Sequence, residues 1–229
     1  MTGHRRLRWR SSGAFYGWMS KIRASAGLGA TQQLPAGFAE TGQFNLLQDR
    51  RLLVWLNFGA IPVFLVVGWA FWYCANLLRP ELAEAAPFAA TSFLQWVVLF
   101  FLILILHELV HGFFMALITG VNPKFGFRGL YAYVGAPDWY FTRGAYLLIN
   151  FAPLVILTLA GLAAIKFATL TLIPAVLVAI TINAAGAVSD LYVGGWVLRR
   201  REVAWIHDTG DVFTMFSLQE ESAPNPDNG

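Results

Sequence analysis

Four long runs of apolar residues, separated by shorter polar segments, dominate the pattern of this chain. They cover residues 52–78, 93–119, 145–165 and 174–198. Each run reaches the length of about 20 residues that a helix needs to cross a bilayer. The pattern therefore predicts an all-α membrane protein with four transmembrane helices.

Composition supports one membrane domain and little else. The chain has 229 residues, of which 57% are hydrophobic and 13% charged, whereas soluble domains carry about 25% charged residues. We predict a flexible basic N-terminal arm over 1–51, a four-helix domain over 52–198 and a C-terminal tail over 199–229. The single cysteine, Cys74, excludes an internal disulfide, and four histidines are too few for the many-histidine di-iron sites of membrane desaturases.

The distribution of basic residues predicts the orientation. The arm, the segment between the second and third runs, and the tail carry 14 of the 16 Lys and Arg residues, and the two other connections carry 2. Basic flanks remain in the cytoplasm, so both termini are expected there, in a multi-pass protein of the cell membrane. The arm itself is consistent with a disordered tail, a lipid-binding segment or a transit peptide.

The second apolar run contains the motif His107-Glu108-Leu109-Val110-His111. Residues four apart share one face of a helix, so both imidazoles can bind one metal ion, and Glu108 is the candidate general base. The alternative is a structural His–Glu network. Ionised residues at the bilayer centre cost about 2.5–3.5 kcal/mol each, and zinc binding offsets more of that cost than such a network does.

Catalytic zinc usually takes three protein ligands, and Asp190 is the predicted third. His111 and Asp190 each lie eight residues before the end of a run that leads to the cytoplasm, which places both about 12 Å from that boundary. The rival ligands are Asp138, His207, Asp208 and Asp211.

Two further features suggest substrate contacts. Asn183 lies seven residues before Asp190, on nearly the same helical face, where it can bind a substrate backbone or a neighbouring helix. Residues 124–134 alternate at period two, which predicts a β-hairpin containing Phe125 and Phe127. The hairpin is interpreted either as a peptide-binding edge or as an aromatic membrane anchor.

The chain resembles the "putative zincin peptidase" family of multi-pass membrane proteins and, more distantly, the site-2 protease group. The motif, the aromatic segment after it, Pro153 and residues 183–190 carry the resemblance. It implies two His and one Asp as zinc ligands and a Glu base, which correspond to His107, His111, Asp190 and Glu108. The chain departs from the site-2 group at Ser189-Asp190-Leu191, where that group usually has Leu-Asp-Gly.

These observations predict a zinc metalloprotease that cleaves membrane or membrane-adjacent protein segments. Its expected partners are the lipid bilayer and a protein or peptide substrate, with no nucleic acid. Two alternatives stay open at this point: a catalytically silent zinc-binding scaffold, and a zinc-dependent hydrolase of small or lipid substrates.

Overall fold

A computed structural model describes residues 28–45, 48–84, 93–128, 131–210 and 212–219. The basic segment 1–27 and the rival ligand Asp211 lie outside this part of the chain. Five α-helices are described: α1 (Arg50–Leu78), α2 (Phe93–Thr119), α3 (Arg143–Phe167), α4 (Ile173–Gly186) and α5 (Val188–Arg199). A short 3₁₀ helix, Pro80–Ala83, follows α1.

The helices match the apolar runs closely, with one difference. Helices α1, α2 and α3 are each long and apolar enough to cross a membrane. The fourth run, predicted as one span, is divided into α4 and α5, whose axes differ by 44°. Gly186 ends α4, and glycine costs about 1 kcal/mol in a helix interior, so a break is cheap there. By length and composition, the described residues contain three candidate spans, or four if the bent pair is one.

The described part of the chain is mostly helical but not all-α, because it also contains seven short strands in two antiparallel sheets. Strands β3 (Lys124–Arg128) and β4 (Tyr131–Gly135) pair with each other. The second sheet has the order β1-β5-β6-β7-β2. Its members are β1 (Ala30–Thr31), β2 (Phe38–Asn45), β5 (Tyr140–Thr142), β6 (Val203–Asp208) and β7 (Val212–Leu218).

The five-stranded sheet joins the segments that sequence analysis assigned to the arm and the tail. Strand β2 pairs with β7 from Phe38 opposite Leu218 to Asn45 opposite Val212, with an irregularity between Glu40 and Gly42. Regular structure at 30–31 and 38–45 was not predicted. The short strands lack a clean alternation of apolar and polar residues, and their pairing partners lie far away in the sequence, because Ala30 pairs with Phe141 and Phe38 with Leu218.

Arginines hold two helix ends to their neighbours. Arg79, after α1, donates from Nη1 to the carbonyls of Ile165 and Ala168 at the end of α3, at 3.2 and 2.9 Å. Arg143, at the start of α3, donates to the carbonyl of Leu198 at the end of α5, at 3.1 Å. Each guanidinium supplies donors to terminal carbonyls that lack an intrahelical partner.

The buried side chains form two clusters. The larger lies between the sheet and helices α2, α3 and α5, and Phe141, Tyr146, Ile149, Val193 and Met215 are among its members. The smaller lies at the opposite ends of the helices, around Leu82, Ile165 and Ile173. The candidate site described next lies beside the larger cluster.

Candidate metal centre

The three predicted metal ligands lie close together among the helices. His107 and His111 lie on α2, and Asp190 lies in the first turn of α5. Asp190 Oδ2 is 2.9 Å from His107 Nε2 and 3.6 Å from His111 Nε2. Each residue offers one atom that could bind a metal ion, and these three atoms all lie within 4.8 Å of one another. Both histidines are buried.

The outer nitrogen of His107 is held by Asn183 of α4. Asn183 Oδ1 lies 2.9 Å from His107 Nδ1, and the amide nitrogen of Asn183 donates to the carbonyl of Pro153 at 3.3 Å. Because the amide nitrogen of Asn183 faces the Pro153 carbonyl, its oxygen faces the His107 ring. An amide oxygen only accepts hydrogen bonds, so Nδ1 of His107 must carry the hydrogen. Asn183 is only 2% exposed. Its amide therefore holds the His107 ring in one orientation.

The outer nitrogen of His111 is held by α3, and a proline provides the acceptor. His111 Nδ1 donates to the carbonyl of Ile149 at 2.9 Å. In an α-helix that carbonyl would accept from the N–H of residue 153, but Pro153 has none. The proline thus leaves the Ile149 carbonyl without its helical donor, and His111 takes that place.

Asp190 is held by close packing between α3 and α5. The Asn150 amide donates to the Asp190 backbone carbonyl at 2.7 Å. A Cβ at Gly194 would collide with the Phe151 ring and lie 2.7 Å from the Asn150 amide nitrogen, so glycine permits this approach. Because the carboxylate lies in the first turn of α5, the helix dipole favours its negative charge.

The donor set fits a divalent metal ion. With hydrogens on both outer nitrogens, each Nε2 presents a lone pair toward the Asp190 carboxylate, which also only accepts. Such an arrangement of acceptors needs a cation between them. Two imidazoles and one carboxylate are a usual zinc set, and the outer contacts are those that fix metal-binding histidines.

Glu108 shares a cavity with the three ligands. The cavity has a volume of about 520 Å³ and is bounded by all five helices, by β4 and by the β6–β7 hairpin. Glu108 is partly buried on its wall, and the backbone N–H of Val134 in β4 is directed toward its carboxylate. A carboxylate therefore lies next to the metal ligands and faces a space in which a substrate can lie.

The rival ligands have other contacts. Asp138 is exposed and pairs with Lys124 at 3.1 Å, and His207 lies against the carbonyl of Pro137 at 2.7 Å. Asp208 lines the cavity but does not belong to the three-ligand cluster. Burial raises the pKa of its carboxyl to about 7.

The two predicted aromatic contacts are only partly described. The Phe125 ring packs on Gly112, one residue after His111, where an added Cβ would lie 2.7 Å from the ring. Phe125 remains 53% exposed. The Phe127 backbone belongs to β3, but its side chain lies outside the described part of the structure. Phe125 is not among the residues that line the cavity.

Sequence reasoning missed two contributors to the site: the Ile149 carbonyl and the role of Pro153 in freeing that carbonyl. A signal for Pro153 was present, because a proline inside an apolar run always leaves the carbonyl four residues earlier without its helical donor. Asp208 was named only as a rival third ligand, and its place on the cavity wall could not be predicted, since a tail carboxylate is usually solvated.

Comparison with known proteins bears on part of this chain. Residues 100–204 match the family model described as "Putative zincin peptidase", a range that includes the motif, strands β3, β4 and β5, and Asp190. No match was found among the curated proteins or among the solved structures. The segment that builds the metal centre is therefore similar to the family described as "Putative zincin peptidase", which suggests a metallopeptidase.

Proposed function

We propose that this protein is a membrane-embedded zinc metallopeptidase that hydrolyses peptide bonds in membrane or membrane-adjacent segments of other proteins. One observation carries the proposal: two imidazole lone pairs and a carboxylate converge, with both outer ring nitrogens already bonded. The neighbouring Glu108 and the shared cavity supply the other parts that a hydrolytic site needs.

Exposed apolar surface supports the membrane location. Along α1 the large side chains of Trp55, Phe58, Leu65 and Trp69 are 65–75% exposed, and Ala75 is the only buried residue of that helix among those described. Water would disfavour such a surface, whereas lipid would cover it. We propose four spans, with α4 and α5 forming one bent span, and both termini in the cytoplasm.

Sheet pairing supports the same topology. Strand β2 precedes α1 and strand β7 follows α5, yet the two are hydrogen-bonded neighbours. The chain must therefore leave the membrane on the side where it entered, which requires an even number of crossings. Four spans satisfy this condition when the bent pair is counted once.

The chain's own residues divide the chemical work. His107, His111 and Asp190 hold the ion, which when bound supplies Lewis-acid activation of water and of the scissile carbonyl. Glu108 accepts a proton from the attacking water, the water oxygen bonds to the carbonyl carbon, and the C–N bond breaks. Glu108 then gives that proton to the leaving amine. Asn183 and the Ile149 carbonyl keep the two imidazoles in place.

Strand β4 offers a way to hold an extended substrate. Its partner β3 covers one edge, and the Val134 N–H on the other edge is directed toward Glu108. A peptide that adds to this edge in an extended conformation would run past the catalytic carboxylate. Strand addition would also explain how a helical membrane segment is presented for cleavage, because a helix hides its backbone bonds.

The metal assignment is tested by zinc content. Purified wild-type protein should hold about one zinc ion per chain, and His111→Ala should lose it. His207→Ala, which alters a histidine outside the cluster, is the matched control and should keep the metal. Full zinc occupancy in His111→Ala would refute the assignment.

The enzymatic assignment is tested by Glu108→Gln and Asp190→Asn together. Glu108→Gln should retain zinc while cleavage of a transmembrane peptide falls about 10²–10⁴-fold, the usual contribution of a general base. Asp190→Asn should lose metal affinity and cleavage together, because a ligand charge is removed. Glu84→Gln and Asp138→Asn make the same chemical changes at exposed positions and should alter neither. If both site variants keep zinc and activity, the protease assignment fails; if the wild type binds zinc but cleaves nothing, the scaffold alternative stands.

A further inference from the structure

A second buried carboxyl group faces the cavity of the metal centre. Asp208 ends strand β6, immediately before the tight turn into β7. It is 7% exposed, yet it lines the same cavity as His107, Glu108 and Asp190. The three-ligand cluster is complete without it, so the mechanism proposed above leaves its presence unexplained.

The Asp208 carboxyl group is held firmly at the cavity wall. The backbone N–H of Gly210 donates to Oδ1 at 2.7 Å, and the hydroxyl of Tyr146 is directed to the same carboxyl group. Tyr146 is itself 2% exposed. The turn packs closely on β4, since a Cβ at Gly135 would lie 3.3 Å from the Thr209 carbonyl carbon. The carboxyl group therefore has a defined position relative to β4.

Apart from His107 and His111, which the proposal assigns to the metal, no basic side chain lines the cavity among the residues described. The lining residues include Glu108, Asp190 and Asp208 but no Lys or Arg. Burying a carboxylate without a positive partner is costly, and burial raises the Asp208 pKa to about 7. When Glu108, Asp190 and Asp208 are all ionised, a divalent ion bound by the three ligands still leaves one negative charge in the cavity. A monovalent cation from outside the protein would neutralise it.

We propose that Asp208 binds the side chain of a Lys or Arg residue of the substrate, close to the scissile bond, and so determines substrate specificity. This inference rests on the proposed function. An extended peptide on the β4 edge would bring one of its side chains beside the β6–β7 turn, which contacts Gly135 of that strand. Lys and Arg are also enriched at the cytoplasmic ends of membrane spans, where the site is proposed to act.

The test uses pairs of synthetic transmembrane peptides that carry Lys or Gln at one position. The position is moved in turn through the three residues on either side of the bond that the wild type cleaves. At one position we expect kcat/KM to be at least about tenfold higher for Lys, as for a buried charge that gains its partner. Asp208→Asn should abolish this preference by slowing only the Lys peptide, while Glu202→Gln, an exposed acid at the start of the same hairpin, should retain it.

Equal cleavage of the Lys and Gln peptides at every position would overturn the proposal, as would an unchanged preference in Asp208→Asn. If Asp208→Asn slows both peptides equally, or does not fold, the proposal is tested instead by measuring peptide binding to a variant that keeps Asp208. In zinc-loaded Glu108→Gln, the Lys peptide should bind at least about tenfold more tightly than the Gln peptide, and equal affinities would refute the Asp208 site. If the wild type cleaves neither peptide, the proposed protease function fails, and the same binding comparison still tests Asp208.

Discussion

The direction of two imidazole lone pairs is the residue-scale feature on which the metal centre depends. Neither ring is free to turn, because Asn183 holds His107 and the Ile149 carbonyl holds His111. Both supports come from other helices, so the ligands are oriented before any metal binds. Preorganisation of this kind usually contributes 10- to 100-fold to metal affinity.

Pro153→Ala should weaken the zinc site while it stabilises helix α3. Alanine restores the backbone N–H that bonds the Ile149 carbonyl, so His111 must compete for its acceptor. We expect zinc affinity to fall by about 10- to 100-fold, and the free energy of unfolding of the metal-free protein to rise, because alanine suits a helix interior better than proline. Competition with a fluorescent chelator measures the first quantity, and denaturation in detergent measures the second.

Pro62→Ala in α1 is the matched control for this experiment. Pro62 also lies inside an apolar helix, and its replacement restores a bond to a carbonyl that no histidine contacts among the described residues. Its zinc affinity should equal that of the wild type. Equal zinc affinity in Pro153→Ala and the wild type would mean that the Ile149 carbonyl accepts hydrogen bonds from both the restored N–H of residue 153 and His111. The hydrogen bond from His111 would then not depend on the proline.

Single residues were also the scale at which sequence reasoning was most specific. His107 and His111 could be paired because a helix places residues four apart on one face. Asp190 could be added because a lone carboxylate in an apolar run needs a partner, and the structure places the three side chains together. The contacts behind the ligands could not be anticipated, because they involve backbone atoms that the pattern of side chains does not reveal.

At the scale of elements, glycines allow the helices to approach the site closely. A Cβ at Gly161 in α3 would overlap the Cγ2 atom of Ile180 in α4. Ile180 is β-branched, so its rotamer is restricted in a helix and it cannot easily move aside. Helix α4 in turn carries Asn183, three residues after Ile180, which links this packing to the position of His107.

Gly161→Ala should therefore lower the free energy of unfolding by about 1–3 kcal/mol, the usual cost of inserting a methyl group into a packed interior. Gly59→Ala in α1 is the control, because an added Cβ there meets nothing within 4 Å. It should raise the free energy of unfolding by up to about 1 kcal/mol through helix propensity. Denaturation of both variants in the same detergent provides the comparison, and a shift of both in the same direction would contradict the close packing described here.

Most of the helix boundaries could be derived from the apolar pattern. The second run, 93–119, coincides with α2, and the first and third differ from α1 and α3 by two residues at their ends. The bend between α4 and α5 could not be derived, because a single glycine such as Gly186 is tolerated inside a helical pattern. The bend matters for the site, since it makes Asp190 a first-turn residue of a new helix.

At the scale of the whole molecule, the two ends of the described chain are joined in one sheet. Thr41 of β2 hydrogen-bonds to Ser217 of β7 at 3.2 Å, so the segments before α1 and after α5 lie on the same side of the helices. The 14-to-2 distribution of basic residues favours the cytoplasm for that side. The sheet pairing favours an even number of crossings and the basic residues favour one orientation, so the two independent arguments support the proposed four-span topology.

Cysteine labelling should place the two kinds of connection on opposite faces of the membrane. In a Cys74→Ala background, a membrane-impermeant maleimide should label Glu84→Cys in intact cells, and Asn225→Cys only after permeabilisation. The Cys74→Ala protein without a new cysteine is the control for background labelling. Labelling of both positions from the same side would exclude the four-span topology.

The sequence by itself determined the local features of this protein: the apolar helices, the pair of histidines on one helical face and the acid beside them. These depend on residues within a few turns of each other, so a helical repeat is enough to predict them. Only the tertiary structure decided how Asn183, the Ile149 carbonyl, Asp190 and Asp208 surround those histidines. Their positions depend on the packing of helices and on strands paired across more than 170 residues, and that packing follows from the summed burial of many side chains rather than from any single motif.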